Sequence, residues 1–393
     1  MDTAIDSFSA DRVAIENAHA RSDAWVAFAL VLAATFVSVG LSWDISWHLT
    51  IGRDTFWTPA HLVIYFGGAG AGLLSGWVAI QTTYFSDAVG RLGSAKMWGG
   101  YAPFGIWVSI WGAVAMITSA PFDNWWHEAY GLDVKILSPP HVLLFFGVLG
   151  LRLGAGLMVL REQNRYPENR FLSGLFCWIA GLIMGGTVGL FLTEIWPNRQ
   201  HSAGFFTIVS LVVPFFLAAT ARASNFKWGA TVAALSTMLF HALFVWVLPL
   251  FPATPKLGPI YNPVTHMVSA PFPLWTVLPA LAFDFIWQKF KGRENSRWTP
   301  LAFAVIGSVV FVAVFFPAQW EFANFYLTPA AHNWFFRADK IWSYYSHPGL
   351  HWTEFFPDEL GWSASSVLHA LLAAFVSGFA GMFAGRWMTR VKR

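Results

Sequence analysis

The sequence predicts an all-α, polytopic membrane protein with about ten transmembrane helices and both termini cytoplasmic. Three observations predict it. Of 393 residues, 56% are hydrophobic and only 11% are charged, less than half the charged share of roughly 25% found in soluble domains. The apolar residues fall in blocks of the length a membrane-spanning helix needs, about 20 residues. Lys and Arg alternate between the connections: the N-terminal segment, the even-numbered loops and the C-terminal tail hold 17, whereas the odd-numbered loops hold 6, with Arg152 inside a block. That split is the positive-inside pattern. An ordinary soluble enzyme, a disordered tail and a basic nucleic-acid-binding domain are thereby excluded. The net charge of +3 needs no acidic partner.

The elements follow in order. Residues 1–23 are polar and acidic and lack the apolar core of a signal peptide. Spans at 24–43, 60–82, 99–120 and 141–160 make up a four-helix region, 24–165. Five more, at 171–193, 204–221, 228–248, 272–288 and 300–317, fill 166–317. An aromatic-rich outer loop, 318–363, reads as a lid, a segment lying on lipid headgroups or a partner surface. A last span at 364–385 and a basic tail complete 364–393. Most of the 23 Trp sit near span ends, as interfacial anchors on membrane lipid do. The lone Cys177 lies inside a block, so neither a disulfide framework nor a cysteine metal site is possible. There is no Walker A motif and no strand-linked Gly-x-Gly-x-x-Gly, so no nucleotide is expected. Gly67-Gly68-Ala69-Gly70-Ala71-Gly72 reads as close helix packing.

Nine of the twelve histidines lie in or beside the odd-numbered loops, which also carry 11 acids against 6 bases. Polar residues gather wherever a chain is wet, but the spacing is specific. Asp44-x3-His48-x12-His61 is followed by Asp123-x3-His127-x13-His141, 79 to 80 residues later, each bridging one helix hairpin as a two-span repeat would. Asp44 and His48 are i and i+4, as are Asp123 and His127, so each pair shares one helix face if its helix continues that far. Thr58-Pro59 and Ser138-Pro139 are helix starts, a hydroxyl cap before proline at the first position. They place His61 and His141 in first turns. Each hairpin can gather one carboxylate and two imidazoles near the outer boundary. Three ligands leave coordination positions open, and the metal can be iron, copper or zinc. A plainer reading pairs Asp44 and Asp123 with Arg53 and Lys135.

These residues resemble the C subunit of the copper membrane monooxygenases, the particulate methane and ammonia monooxygenase family, over roughly residues 40–160. The family's Asp-x3-His-x12-His triad surrounds a stretch similar to Arg53-Asp54-Thr55-Phe56-Trp57-Thr58-Pro59-Ala60-His61. Its second site, Asn-x3-His-x13-His, ends in a Pro-x-His-like sequence, as Pro139-Pro140-His141 does. The resemblance implies copper at Asp44, His48 and His61, with a neighbouring or alternative site at Asp123, His127 and His141. It also implies partner membrane subunits and a bacterial cytoplasmic membrane, with the sites facing outward. Two features depart from the family: position 123 is Asp rather than Asn, and only one span precedes the first motif.

Other residues carry weaker signals. Glu194 and His201 flank the third outer loop, and Asn262-Pro-Val-Thr-His266 precedes the eighth span. Both read more simply as structural than as degenerate copies. His347, His351 and Glu354 have helical spacing, but Pro348 and Gly349 interrupt it. Arg152 and Asp284 lie at similar depth inside spans, where they can pair. His241 and His369 can serve a metal or a proton path, or a helix–helix hydrogen bond. Trp43, Trp47, Trp125 and Trp126 either shield a site or mark the boundary. Two functions follow. One is a copper oxygenase subunit hydroxylating a small substrate with dioxygen, the metal ligands being its candidate catalytic groups. The other is a copper or divalent-metal binding or transport protein without oxygenase activity. A structural subunit with vestigial motifs is a third.

Overall fold

The computed structural model describes residues 2–87, 91, 93–131, 138–191, 195–349, 352–356 and 362–391. It is built almost wholly of helices: α1 (Asp2–Thr50), α2 (Pro59–Ile80), α3 (Phe104–Tyr130), α4 (Pro139–Arg165), α5 (Arg170–Gly189), α6 (Ala203–Ala223), α7 (Gly229–Val247), α8 (Val277–Phe290), α9 (Thr299–Tyr326) and α10 (Ala364–Met388). The one sheet among the described residues is a short antiparallel hairpin, β1 (Ala95–Met97) and β2 (Gly100–Ala102), between α2 and α3. Nine of the described helices are long and apolar enough to cross a membrane, α1 through its part Asp23–Thr50. The chain is therefore a multi-pass membrane protein by its helices.

Side-chain bonds fix which helix ends meet. Arg161 on α4 pairs with Asp23 of α1 at 2.8 Å, so these helices run antiparallel. Asn225 donates to the Gln163 carbonyl at 3.2 Å, and Asn164 donates to the Met388 and Val391 carbonyls at 2.8 and 2.9 Å. The α6–α7 connection and the end of α10 therefore share the face that holds Asp23, here the terminal face. The ends of α1 and α3 and the starts of α2 and α4 lie at the opposite, ligand face.

The predicted eighth span is not a full-length helix. Val268 donates to Thr50 Oγ1 at the ligand face, 2.8 Å, while Gln288 donates to the Lys227 carbonyl at the terminal face, 3.3 Å. The chain crosses between them first as extended backbone and then as α8, only 14 residues long. Pro271 and Pro273 explain this. Each lacks an N–H and biases its predecessor away from the helical region. Extended backbone at this depth survives only where protein satisfies it. Here Phe272 N–H donates to Tyr326 Oη and Trp275 N–H to Gln319 Oε1, at 3.1 and 3.0 Å, and Ser269, Phe272 and Thr276 are buried. At the other end of the hairpin, α9 runs to Tyr326 with Pro317 inside it, so the long connection to α10 begins later than position 318. The packing expected at Gly67 holds: a Cβ there would stand 2.7 Å from the Ala33 carbonyl.

The expected Arg152–Asp284 pair does not form. Asp284 is fully buried and accepts from the Ala230 N–H, the Thr231 N–H and Thr231 Oγ1 at 3.1, 2.8 and 2.7 Å. It thus satisfies the otherwise uncapped start of α7, where orphan amides and the helix dipole favour an anion. Arg152 instead donates to Ser38 Oγ at 2.8 Å. The depth argument failed because it assumed helical rise throughout. The extended lead-in advances about 3.3 Å per residue against about 1.5 Å for helix, which carries Asp284 to the terminal face.

Replacing Asp284 by Ala leaves two α7 amides without an acceptor, a loss of about 1–3 kcal/mol, and lowers the thermal unfolding temperature in detergent. Arg152→Leu added to Asp284→Leu restores nothing, and a double variant folding better than either single one contradicts this account.

Candidate metal centres

α1 does continue through Asp44 and His48, and α3 continues through Asp123 and His127. Pro59 and Pro139 occupy first-turn positions of α2 and α4. Ser138 caps α4, accepting from the His141 N–H at 3.4 Å. Thr58 behaves differently: its hydroxyl accepts from the Thr55 N–H at 2.8 Å and closes the preceding loop, leaving α2 without a side-chain cap.

In the first set Asp44 meets both imidazoles, but unlike the second set its three ligand atoms do not all come within 4.8 Å of one another, and a second carboxylate joins it. Asp44 Oδ1 lies 3.1 Å from His61 Nε2, and Asp44 Oδ2 lies 3.8 Å from His48 Nε2. Asp54 Oδ2 stands 3.6 Å from both nitrogens. Asp54 was not foreseen as a ligand, because it sits in an irregular loop where no periodicity points to it. A turn at Gly52 brings it in. Gly52 has φ +82°, and a Cβ there would meet the Tyr344 hydroxyl. Trp47 Nε1 donates to the Arg53 carbonyl at 3.0 Å, fixing the next residue. The Arg53 alternative does not hold: no ion pair joins Arg53 to Asp44 among the described residues.

The second set is Asp123, His127 and His141, whose ligand atoms all lie within 4.8 Å of one another. Asp123 Oδ1 faces His127 Nε2 at 3.7 Å and His141 Nε2 at 3.3 Å. The two rings are near perpendicular, with centroids 6.3 Å apart. Ser119 Oγ donates to the Pro140 carbonyl at 2.8 Å, locking the start of α4 against α3. Lys135, the alternative partner for Asp123, lies outside the described residues. Tyr65, one turn after His61 on α2, has its ring 6.2 Å from the His61 ring.

One feature fits both sets to a cation. His61 Nδ1 lies 2.9 Å from the Thr55 carbonyl. A carbonyl only accepts, so Nδ1 carries a proton, and in the neutral ring Nε2 carries the lone pair, whereas in the imidazolium it is a second N–H. That lone pair faces Asp44 Oδ1, which is buried without a hydrogen-bond partner, as is Asp123 Oδ1. Acceptor facing acceptor at 3.1 Å calls for a cation or an extra proton between them. The Thr55 carbonyl is the kind of outer support that fixes the tautomer of a metal-binding imidazole.

Of the remaining candidates, His201, His266, His347 and Asn262 bond or stack within the protein. His201 is sandwiched between Trp320 and Phe355, with centroids at 3.7 and 3.5 Å, and burial there lowers its pKa. His347 stacks on Tyr261 at 3.5 Å, Glu354 is exposed, and His266 bonds its neighbour Thr265. Asn262 donates to the Trp342 and Ser343 carbonyls. Glu194 and His351 lie outside the described residues. His369 is exposed on α10. Trp43 and Trp47 pack beneath the connection after α7, against Ile51, Leu248 and Met267, whereas Trp125 is exposed. No protein-family model, curated protein or solved structure matches this chain, so the resemblance stands on the motif residues alone.

Asp54→Asn removes one of two carboxylates from the first set. It weakens zinc or copper binding there by about 10–100-fold and leaves the second set unchanged. Gly52→Ala does the same indirectly by displacing Asp54. Competition titration of each variant against a chromophoric chelator measures both effects.

Proposed function

We propose that the chain is a metal-binding membrane oxidoreductase subunit whose two centres sit together at one membrane face. The observation that carries this reading is the pair of buried carboxylate oxygens, Asp44 Oδ1 and Asp123 Oδ1, each without a hydrogen bond and each facing imidazole Nε2 atoms. Asp44, His48, Asp54 and His61 would hold one ion, and Asp123, His127 and His141 another. Both sets mix imidazole with carboxylate, a donor combination open to copper, iron or zinc. Copper follows from the motif resemblance, as do partner membrane subunits. The charge split of the loops supports an outward ligand face and a cytoplasmic terminal face.

The chemistry a redox metal supplies here is the activation of dioxygen for hydroxylation of a small substrate. This chain's own residues do the rest. The Thr55 carbonyl keeps the His61 proton on Nδ1. Asp44 supplies one oxygen toward each imidazole, which holds both rings in place. Apolar helix faces on every side admit dioxygen and an apolar substrate from the bilayer.

A second reading, capture and transfer of a metal without oxygenation, rests on His48, whose side chain is 43% exposed. A ligand so open suits an ion that arrives and leaves.

Metal analysis of the purified protein beside His48→Ala and His141→Ala separates the outcomes. The oxidoreductase reading expects copper or iron lost from each variant, and dioxygen consumed only with a reductant and abolished in His48→Ala. Metal lost without any dioxygen consumption, together with vesicle uptake that depends on His48, supports capture instead. Wild-type protein that holds no metal after loading rejects both.

A further inference from the structure

A groove opens on the outer surface of α3 and α4, beside the β1–β2 hairpin, and plays no part in the centres above. It encloses about 420 Å³, within the range of about 300–1,000 Å³ usual for ligand clefts. Met97, Phe104, Trp107, Trp111, Ala115 and Phe146 line it, and every lining residue is apolar or aromatic. Gly112 and Gly150 make its floor: a Cβ at Gly150 would stand 3.1 Å from Gly112 Cα. The two helices thus meet backbone to backbone and leave the space between their larger side chains open. From Phe104 to Ala115 the groove runs about 16 Å along α3, roughly half the 30 Å hydrocarbon core. Because α3 starts at the terminal face, the groove spans the leaflet on that side.

The hairpin stands at its mouth. The two-residue turn Trp98–Gly99 has φ +49° and +84°, a conformation that asparagine–glycine ordinarily fills and a bulky residue seldom adopts. It lays the exposed Trp98 ring 5.0 Å from Trp111, stacked, and 6.1 Å from Trp107. Backbone held in this region clusters at ligand sites. Trp107 Nε1 donates to the Ala95 carbonyl at 3.1 Å, which ties the hairpin to α3. Successive strand residues face opposite ways. Met97 lines the groove, so Lys96 stands on the other face, toward the headgroup layer. Its amine lies 5.5 Å from the centre of the Tyr101 ring, and the Arg91 guanidinium lies 5.1 Å from the same ring. Lys96 is exposed and pairs with no carboxylate among the described residues.

We infer that this groove binds an anionic phospholipid of the terminal-face leaflet, with one acyl chain along α3 and the phosphate at the level of Lys96 and Arg91. The dimensions select the occupant. Spread over its length, the groove has a cross-section of about 26 Å², room for one hydrocarbon chain but not for a helix, which is about 10–12 Å across. The charge selects the headgroup. Cations at the membrane surface attract anionic lipids, and basic residues at the cytoplasmic mouth of an interhelical groove suit a phosphate. A zwitterionic headgroup would bring its own cation against Lys96.

The test titrates the delipidated full-length protein in detergent with dioleoyl phosphatidylglycerol and, separately, with dioleoyl phosphatidylcholine, and reads the first bound lipid by native mass spectrometry. The two lipids share their acyl chains and differ only in the headgroup. The wild type binds phosphatidylglycerol about fivefold more tightly, the effect of one cation near a membrane surface. Lys96→Gln brings the two lipids to the same Kd. Ala115→Phe fills the deep end of the groove and leaves both cations in place, and it weakens both lipids by about tenfold. Equal affinity of the wild type for the two lipids, a preference that survives Lys96→Gln, or binding unchanged in Ala115→Phe each overturns the site. So does a wild-type dimer that Ala115→Phe dissociates, because a second copy then covers the groove.

Discussion

The last turn of α1 is the constraint on which the ligand face depends. It carries Asp44 and His48, so its position sets both the distance to His61 and the approach of Asp54. It does not hold itself. Thr50 Oγ1 accepts from the Val268 N–H at 2.8 Å, and Ser46 Oγ donates to the Val268 carbonyl. The Leu49 and Ile51 carbonyls, orphaned as the helix ends, accept from the Tyr344 and Lys256 amides at 3.1 and 2.9 Å. Tyr344 then limits residue 52 to glycine, and that turn delivers Asp54. Every one of these bonds comes from chain some two to three hundred residues away.

Charge inside the bundle is handled in three different ways. Asp284 is neutralised by a helix start rather than by a cation. Glu162, fully buried, takes Arg161 at 2.9 Å, and Arg161 also reaches Asp23, so that triad ties α1 to α4 at the terminal face. Arg152 has only a hydroxyl. A buried carboxylate that collects three donors is a finished structural element, whereas a buried guanidinium with an orphan Nε is an incomplete one. This contrast separates a carboxylate whose acceptors are filled from a guanidinium with one donor left over.

Much of this was legible in the sequence, and the failures have physical causes. The i, i+4 pairs and the proline-started helices brought each carboxylate to its two imidazoles, and in the second triad all three ligand atoms lie close together, because helix geometry makes such spacing binding once the helix continues. Asp54 was hidden because its approach depends on a turn at Gly52 and on Tyr344, contacts no local pattern encodes. The short α8 was visible in Pro271 and Pro273 but outweighed by hydropathy, which measures the apolar length of a segment and not its backbone. The Arg152–Asp284 error followed from that one, since depth was counted in helical steps along extended chain. Thr58 reads as a cap, but its hydroxyl was claimed by the nearer Thr55 amide.

The helices beyond residue 170 are easily taken for a scaffold added to a four-helix metal module. The contacts argue otherwise. The connection between α7 and α8 and the segment near Tyr344 fasten the end of α1, and α5 packs against Arg152 at Gly186. Removing them would free the α1 end that carries two ligands of the first set. The second set has no such dependence among the described residues: α3 and α4 position it themselves, through Ser119, Pro140 and Ser138. Two sets with nearly the same spacing thus differ in what holds them. The first is bound to the whole fold, and the second to its own hairpin. A perturbation in the distant loops therefore reaches the first centre and spares the second.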